Sequence, residues 1–173
     1  MTGKALIIVD MLNDFIDEAG ALYCGPAASG IVPFITKRLL DHRKEGSLII
    51  YLQDSHDEND LEFEKFPKHC VTGTWGSKII KPLAPVKDER IVTKKRYSGF
   101  YGTDLDAILS ANTPDDVEIV GVCTSICVMD TVGGLANRDY KITVPEKGVA
   151  DFDMEFHHFA IKRMKQLYGA RVI

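Results

Sequence analysis

No apolar run in this chain approaches the length of a membrane span. The longest, such as Ala5 to Val9 and Ser47 to Leu52, fall far short of the roughly 20 residues a bilayer crossing needs. Positive charge is not in excess either: 21 Lys and Arg stand against 25 Asp and Glu, a net charge of -4. That removes the electrostatic footprint of a nucleic-acid-binding protein. Low-complexity tracts, internal repeats and linkers are missing, so residues 1–173 are expected to form a single domain. Cysteines are few, namely Cys24, Cys70, Cys123 and Cys127. The opening Met1-Thr2-Gly3-Lys4 leads straight into an apolar run and leaves no room for a secretory signal. The thiols are therefore expected to be reduced, and the location cytoplasmic.

What the chain does contain is a regular alternation. Six short apolar runs predict strands: Ala5 to Val9, Leu48 to Leu52, Arg90 to Thr93, Val117 to Val122, Lys141 to Val144 and Ala170 to Ile173. Runs that are apolar on both faces suit a parallel sheet covered by helices on each side. Amphipathic stretches separate them, at Ile31 to Lys44, Thr103 to Ser110, Ser125 to Arg138 and Met154 to Tyr168. The pattern predicts a doubly wound three-layer α/β/α sandwich with a mostly parallel six-stranded sheet. In such a sheet the ligand crevice lies at the carboxyl ends of the strands. One long irregular segment, Asp54 to Pro85, interrupts the alternation, and a loop of that length in a compact domain is usually functional.

Polar residues just past the strand ends are thus the candidates. Asp10 closes the first strand as a general base, or as an acceptor for loop amides. Lys94 follows the third, with Lys95 and Arg96 directly behind it. Cys127 falls in the first turn of the helix after Val122, with Thr124 as the expected N-cap. Free amides and the positive end of the helix dipole would stabilise a thiolate there and lower its pKa. As plain core residues, Cys123 and Cys127 would instead be small buried hydrophobes. Asp54 and His56 are two apart, so in an extended segment they face the same way, and His69 can complete a site of two histidines and one carboxylate. Glu62 or Glu64 is a candidate further ligand. A solvated polar loop accounts for that spacing nearly as well. Thr103 and Asp106 match a capping box.

Together these stretches resemble the isochorismatase-like cysteine hydrolases, and among them the nicotinamidases. The resemblance rests on four ordered motifs: Val9-Asp10-Met11-Leu12-Asn13-Asp14-Phe15; Asp54-Ser55-His56 with Phe66-Pro67-Lys68-His69-Cys70; Lys94 with Tyr97-Ser98-Gly99-Phe100; and Gly121-Val122-Cys123-Thr124-Ser125-Ile126-Cys127. It implies a catalytic set of Asp10, Lys94 (rather than Lys95) and Cys127, a cis peptide between Val122 and Cys123, and an oxyanion site made by the amides of Cys123 and Cys127. It further implies a divalent metal, zinc first and manganese or iron as alternatives, held by Asp54, His56 and His69, with Glu62 the added ligand that the spacing offers. Phe15, Phe66 and Tyr97 would contact substrate, a small amide such as nicotinamide. The implied assembly is a homo-oligomer, dimer or tetramer. Ser125 departs from the pattern, because relatives often carry an acid there, and so do Asp130, Gly133 and Gly134. The rival readings are a carbamoyl or ureido amide as substrate, isochorismate hydrolysis, and a non-catalytic ligand-binding module.

Overall fold

The computed structural model describes residues 3–173; Met1 and Thr2, part of the segment weighed above for a secretory signal, lie outside the described residues. Seven strands form one sheet: β1 (Lys4–Val9), β2 (Leu48–Asp54), β3 (Arg90–Lys94), β4 (Asp116–Val122), β5 (Ile142–Val144), β6 (Val149–Ala150) and β7 (Arg171–Val172). Six run in the order β3-β2-β1-β4-β5-β7, and β6 pairs with β4 off this path. All the strand pairings are parallel. The sequence predicts six strands, and the six of the main path are those; the two-residue β6 is the addition, too short to show a pattern of its own.

Alternation along β1 sorts the helices into two layers. Leu6 and Ile8 point to one core, which also holds Ile35 and Leu39 of α3 (Val32–Glu45) and residues of α1 (Asn13–Ile16) and α2 (Pro26–Gly30). Ala5, Ile7 and Val9 point to the other. That side receives Leu105 and Leu109 of α4 (Leu105–Asn112), Val132 and Leu135 of α5 (Met129–Ala136), and Met164 of α6 (Met154–Gln166). Period-two side-chain direction in the strands thus generates the three-layer α/β/α sandwich.

Among the described residues no helix is long and apolar enough to cross a membrane. The predicted capping box at Thr103 is not made. The helix starts at Leu105, Thr103 Oγ1 donates to the Gly99 carbonyl, and Asp106 pairs instead with Arg138 at 2.8 Å.

The irregular segment between β2 and β3 is moored to the turn after β1. Ile80 donates to the Met11 carbonyl, Asn13 to that of Lys78 and Asp14 to that of Gly76, each at 3.0 Å. The Asp14 carboxylate accepts the Ala21 and Cys70 amides at 3.0 and 2.7 Å. A Cβ at Gly76 would collide with that carboxylate, so only glycine fits there.

Candidate active site

Asp10, Lys94 and Cys127 meet at the carboxyl edge of the sheet. Val9 is level with Leu52 and with Gly121, and Asp54 is level with Lys94, so residues at or just past these strand ends share one neighbourhood. Lys94 is 2% exposed. Its ammonium lies 2.8 Å from Asp10 Oδ2 and 3.4 Å from Cys127 Sγ, and it donates a short hydrogen bond to Asp54 Oδ1. Asp10 takes the role of loop-amide acceptor through Oδ1, which receives the Asp54 amide at 3.0 Å, and leaves Oδ2 facing the lysine. Asp10, Asp54 and Cys127 also have donor atoms within 4.8 Å of one another. The Lys94 ammonium already lies among them as their counter-cation.

Charge balance sets the protonation states. Burial pulls Lys94 toward neutrality, but the Asp10 and Asp54 carboxylates outweigh it and hold the lysine well above its usual value. Burial, reinforced by the negative charge of Asp54, raises Asp10 to about 7, inside the range where a carboxyl can both take and return a proton. Asp54 also pays for burial, yet Lys94 and His56 bring it below its ordinary value. Burial drives the Cys127 thiol well above its usual value, with Lys94 opposing. This differs from the expectation of a depressed thiol pKa: the sulfur is enclosed, and desolvation together with the Asp10 and Asp54 charges outweighs Lys94.

The turn carrying Cys127 also differs from the expected simple helix start. Residues Thr124–Val128 form one π-helical turn before α5, a widened geometry common at functional sites. The Cys123 carbonyl accepts from Ile126 at 3.1 Å and from Val128 at 3.2 Å, passing over the Cys127 amide between them. Thr124 does not cap. Its hydroxyl is 2.9 Å from His157 Nδ1, and the Ser125 amide donates to Asp151 Oδ2 at 2.7 Å. Asp151 and His157, both buried, brace the turn, and neither carried a signal in the sequence. The Val122–Cys123 peptide is cis, as the resemblance implies.

Beside this cluster, Asp54, His56 and His69 bring donor atoms within 4.8 Å of one another, all three buried. Both imidazoles have a committed outer nitrogen. His69 Nδ1 is 2.7 Å from the Pro67 carbonyl, which only accepts, so this nitrogen carries the proton and Nε2 keeps its lone pair. His56 Nδ1 is 3.1 Å from Asp60 Oδ2, and His56 Nε2 is buried with no hydrogen-bond partner. An orphaned imidazole nitrogen next to a carboxylate and a second imidazole fits a divalent metal. Glu62 is buried, with Oε1 3.9 Å from His69 Nε2, whereas Glu64 is exposed; of the two candidate acids, Glu62 faces the site.

Phe15, Phe66 and Tyr97 line one apolar pocket with Cys127, Asp10, Glu62 and His69. Phe15 and Phe66 each lie near the His69 ring, with centroids 5.5 and 6.3 Å away. Leu22, Cys24, Ile126 and Phe152 add to the wall. Their apolar character did not distinguish them from core in the sequence.

A doubly wound parallel sheet with a buried cysteine, lysine and aspartate at its carboxyl edge defines a hydrolase-like α/β class, and comparison with known proteins narrows it. The isochorismatase domain model matches residues 4–173, and the chain belongs to the isochorismatase family. It is 34% identical to the nicotinamidase/pyrazinamidase PncA of Bacillus subtilis, whose structure superposes with a TM-score of 0.93 over 98% of both chains. The pyrazinamidase of Pyrococcus horikoshii, solved in complex with zinc, is 31% identical, with a TM-score of 0.92 over 98% of both chains. The N-carbamoylsarcosine amidase of Thermoplasma acidophilum is 36% identical, with a TM-score of 0.89 over 98% of this chain and 95% of that one.

Proposed function

We propose that the protein is an amidohydrolase of the nicotinamidase type, converting nicotinamide to nicotinate and ammonia through a thioester on Cys127. The observation that carries this reading is the contact of the Lys94 ammonium with both Asp10 and Cys127, which line an apolar pocket beside a group of metal donors. Asp54, His56 and His69, with Glu62 adjacent, would hold a divalent metal, zinc by analogy with the Pyrococcus relative. When bound, such an ion supplies a Lewis-acid anchor for a heterocyclic nitrogen.

The protein's own groups carry the chemistry. The neutral thiol of Cys127 gives its proton to Asp10, and Lys94 stabilises the resulting thiolate at 3.4 Å. Sulfur attacks the carboxamide carbon, with the amides of Cys123 and Cys127 receiving the oxyanion. Asp10 returns the proton to the departing ammonia as the C–N bond breaks, then takes one from the water that attacks the thioester and passes it to the sulfur as the C–S bond breaks, restoring the neutral thiol. A carboxyl that titrates at about 7 can serve in both directions. Phe15 and Phe66 hold the flat ring between them, and Tyr97 closes the wall.

Ammonia release from nicotinamide by metal-supplied protein, with Cys127→Ala as control, tests the assignment. An inactive wild type with metal present sinks the nicotinamide reading. A second reading, a carbamoyl or ureido substrate on the same triad, is favoured by the 36% identity to the carbamoylsarcosine amidase. A parallel amide panel separates the two.

A further inference from the structure

Asp60 makes an unusual number of commitments for a residue in a polar loop. Its side chain is 4% exposed. Oδ2 faces His56 Nδ1 at 3.1 Å, and Oδ1 accepts the Glu62 amide at 2.9 Å. Arg96 Nη1 donates to both oxygens, at 3.0 and 3.1 Å. One carboxylate therefore ties together the His56 ring, the 3-10 turn Leu61–Glu64 that carries Glu62, and an arginine two residues past Lys94.

We propose that Asp60 is the positioning residue of the metal site: it fixes His56 as the Nδ1–H tautomer, so that Nε2 presents its lone pair toward Asp54 and His69, and Arg96 holds Asp60 in place. This inference rests on the metal reading above. The physical case is one of donors and acceptors. A carboxylate in an ion pair with Arg96 is ionised and only accepts, so the proton between Asp60 and His56 belongs to the imidazole. A neutral imidazole with its proton on Nδ1 has nothing to donate from Nε2, which is the buried atom without a partner. His69 obtains the same tautomer from a backbone carbonyl, which no side-chain substitution removes. His56 is thus the ligand whose orientation a single mutation can release. Because Asp60 also receives the Glu62 amide, its loss would loosen the nearby acid as well.

The test is metal affinity in the full-length protein, read without activity. Metal-stripped wild type, Asp60→Asn, Asp60→Ala and His56→Ala are titrated with zinc against a chromophoric chelator, and the melting temperature of each metal-free form is recorded. Loss of a carboxylate behind a ligating histidine typically weakens binding about 10–100-fold; Asp60→Ala is expected in that range, and Asp60→Asn, which can still accept, nearer its lower end. Zinc affinity in Asp60→Ala within about twofold of wild type overturns the proposal. Should Asp60→Ala fail to fold, nitrogen-15 NMR of the zinc-bound wild type decides the matter: Nε2 of His56 on the zinc with the proton on Nδ1 supports the proposal, and Nδ1 on the zinc with the proton on Nε2 overturns it. If wild type binds no zinc that His56→Ala abolishes, the metal reading itself fails, a result distinct from equal binding by wild type and Asp60→Ala.

Discussion

The Lys94 ammonium lies 3.4 Å from the sulfur of Cys127, and the lysine reaches it from β3, the outermost strand on its side of the sheet. A cation with 0% side-chain exposure persists in such a place because two carboxylates meet it there. Burial alone would discharge it.

Replacing Lys94 with methionine keeps the volume and removes the charge, leaving Asp10 and Asp54 buried against each other. Breaking a buried pair from one side costs about 3–5 kcal/mol. Lys94→Met is therefore expected to lower the thermal midpoint markedly and to abolish ammonia release. A variant as stable as wild type would contradict the buried pairing.

Because burial holds the Cys127 thiol protonated, iodoacetamide is expected to label Cys127 in the substrate-free protein more slowly than free cysteine at pH 7. The rate should climb as the pH is raised. Peptide mapping by mass spectrometry reads this directly. Slow labelling is compatible with the proposed mechanism, in which the thiolate forms only as Asp10 takes the proton; rapid labelling at neutral pH would mean that the sulfur is ionised at rest.

Acid stability has a separate origin, beneath the sheet on the α3 side. Burial would raise Glu118, but Arg38, whose Nε donates at 2.7 Å, and His42 bring it from 4.5 down to about 2. The unfolded chain protonates this carboxyl near 4.5, and the folded chain only near 2. The contribution, on the order of 3 kcal/mol by linkage, is fully present above pH 4.5 and is lost as the pH falls through about 2. Glu118→Gln should flatten urea midpoints over that window relative to wild type. An unchanged slope would remove Glu118 from the account.

Gly121 has φ +123 in β4, and a Cβ there would run into the Val9 backbone, its carbonyl oxygen first. The conformation and the clash both oppose a side chain, so Gly121→Ala should cost more than about 2 kcal/mol. Thermal unfolding checks it. Gly25→Ala, where φ is +86 but nothing lies within 4 Å, is the milder control.

Much of this architecture is legible in the sequence alone. Strands buried on both faces announce themselves as apolar runs, and Asp10, Lys94 and Cys127 fall at or just past strand ends, where position leaves other roles open and the four ordered motifs of the resemblance single them out. Local signals were less dependable where tertiary partners compete. Thr103 matched a capping box, yet its hydroxyl went to Gly99 and Asp106 went to Arg138. Thr124 had the right identity for an N-cap, yet His157 took its hydroxyl. Asp60 was invisible for a different reason. In Asp57-Glu58-Asn59-Asp60 nothing marks one acid above the rest, and its arginine comes 36 residues later.

The placement of Lys94 on an edge strand bears on how the protein fails. β3 is five residues long, pairs on one side only, and has Ile91 half exposed. Outer strands open at lower free energy than the core they cover, and here the opening strand would carry away the ammonium that Asp10 and Cys127 depend on. Heat inactivation should thus begin below the global unfolding transition, as a reversible fraying that silences the enzyme while its central strands are still folded.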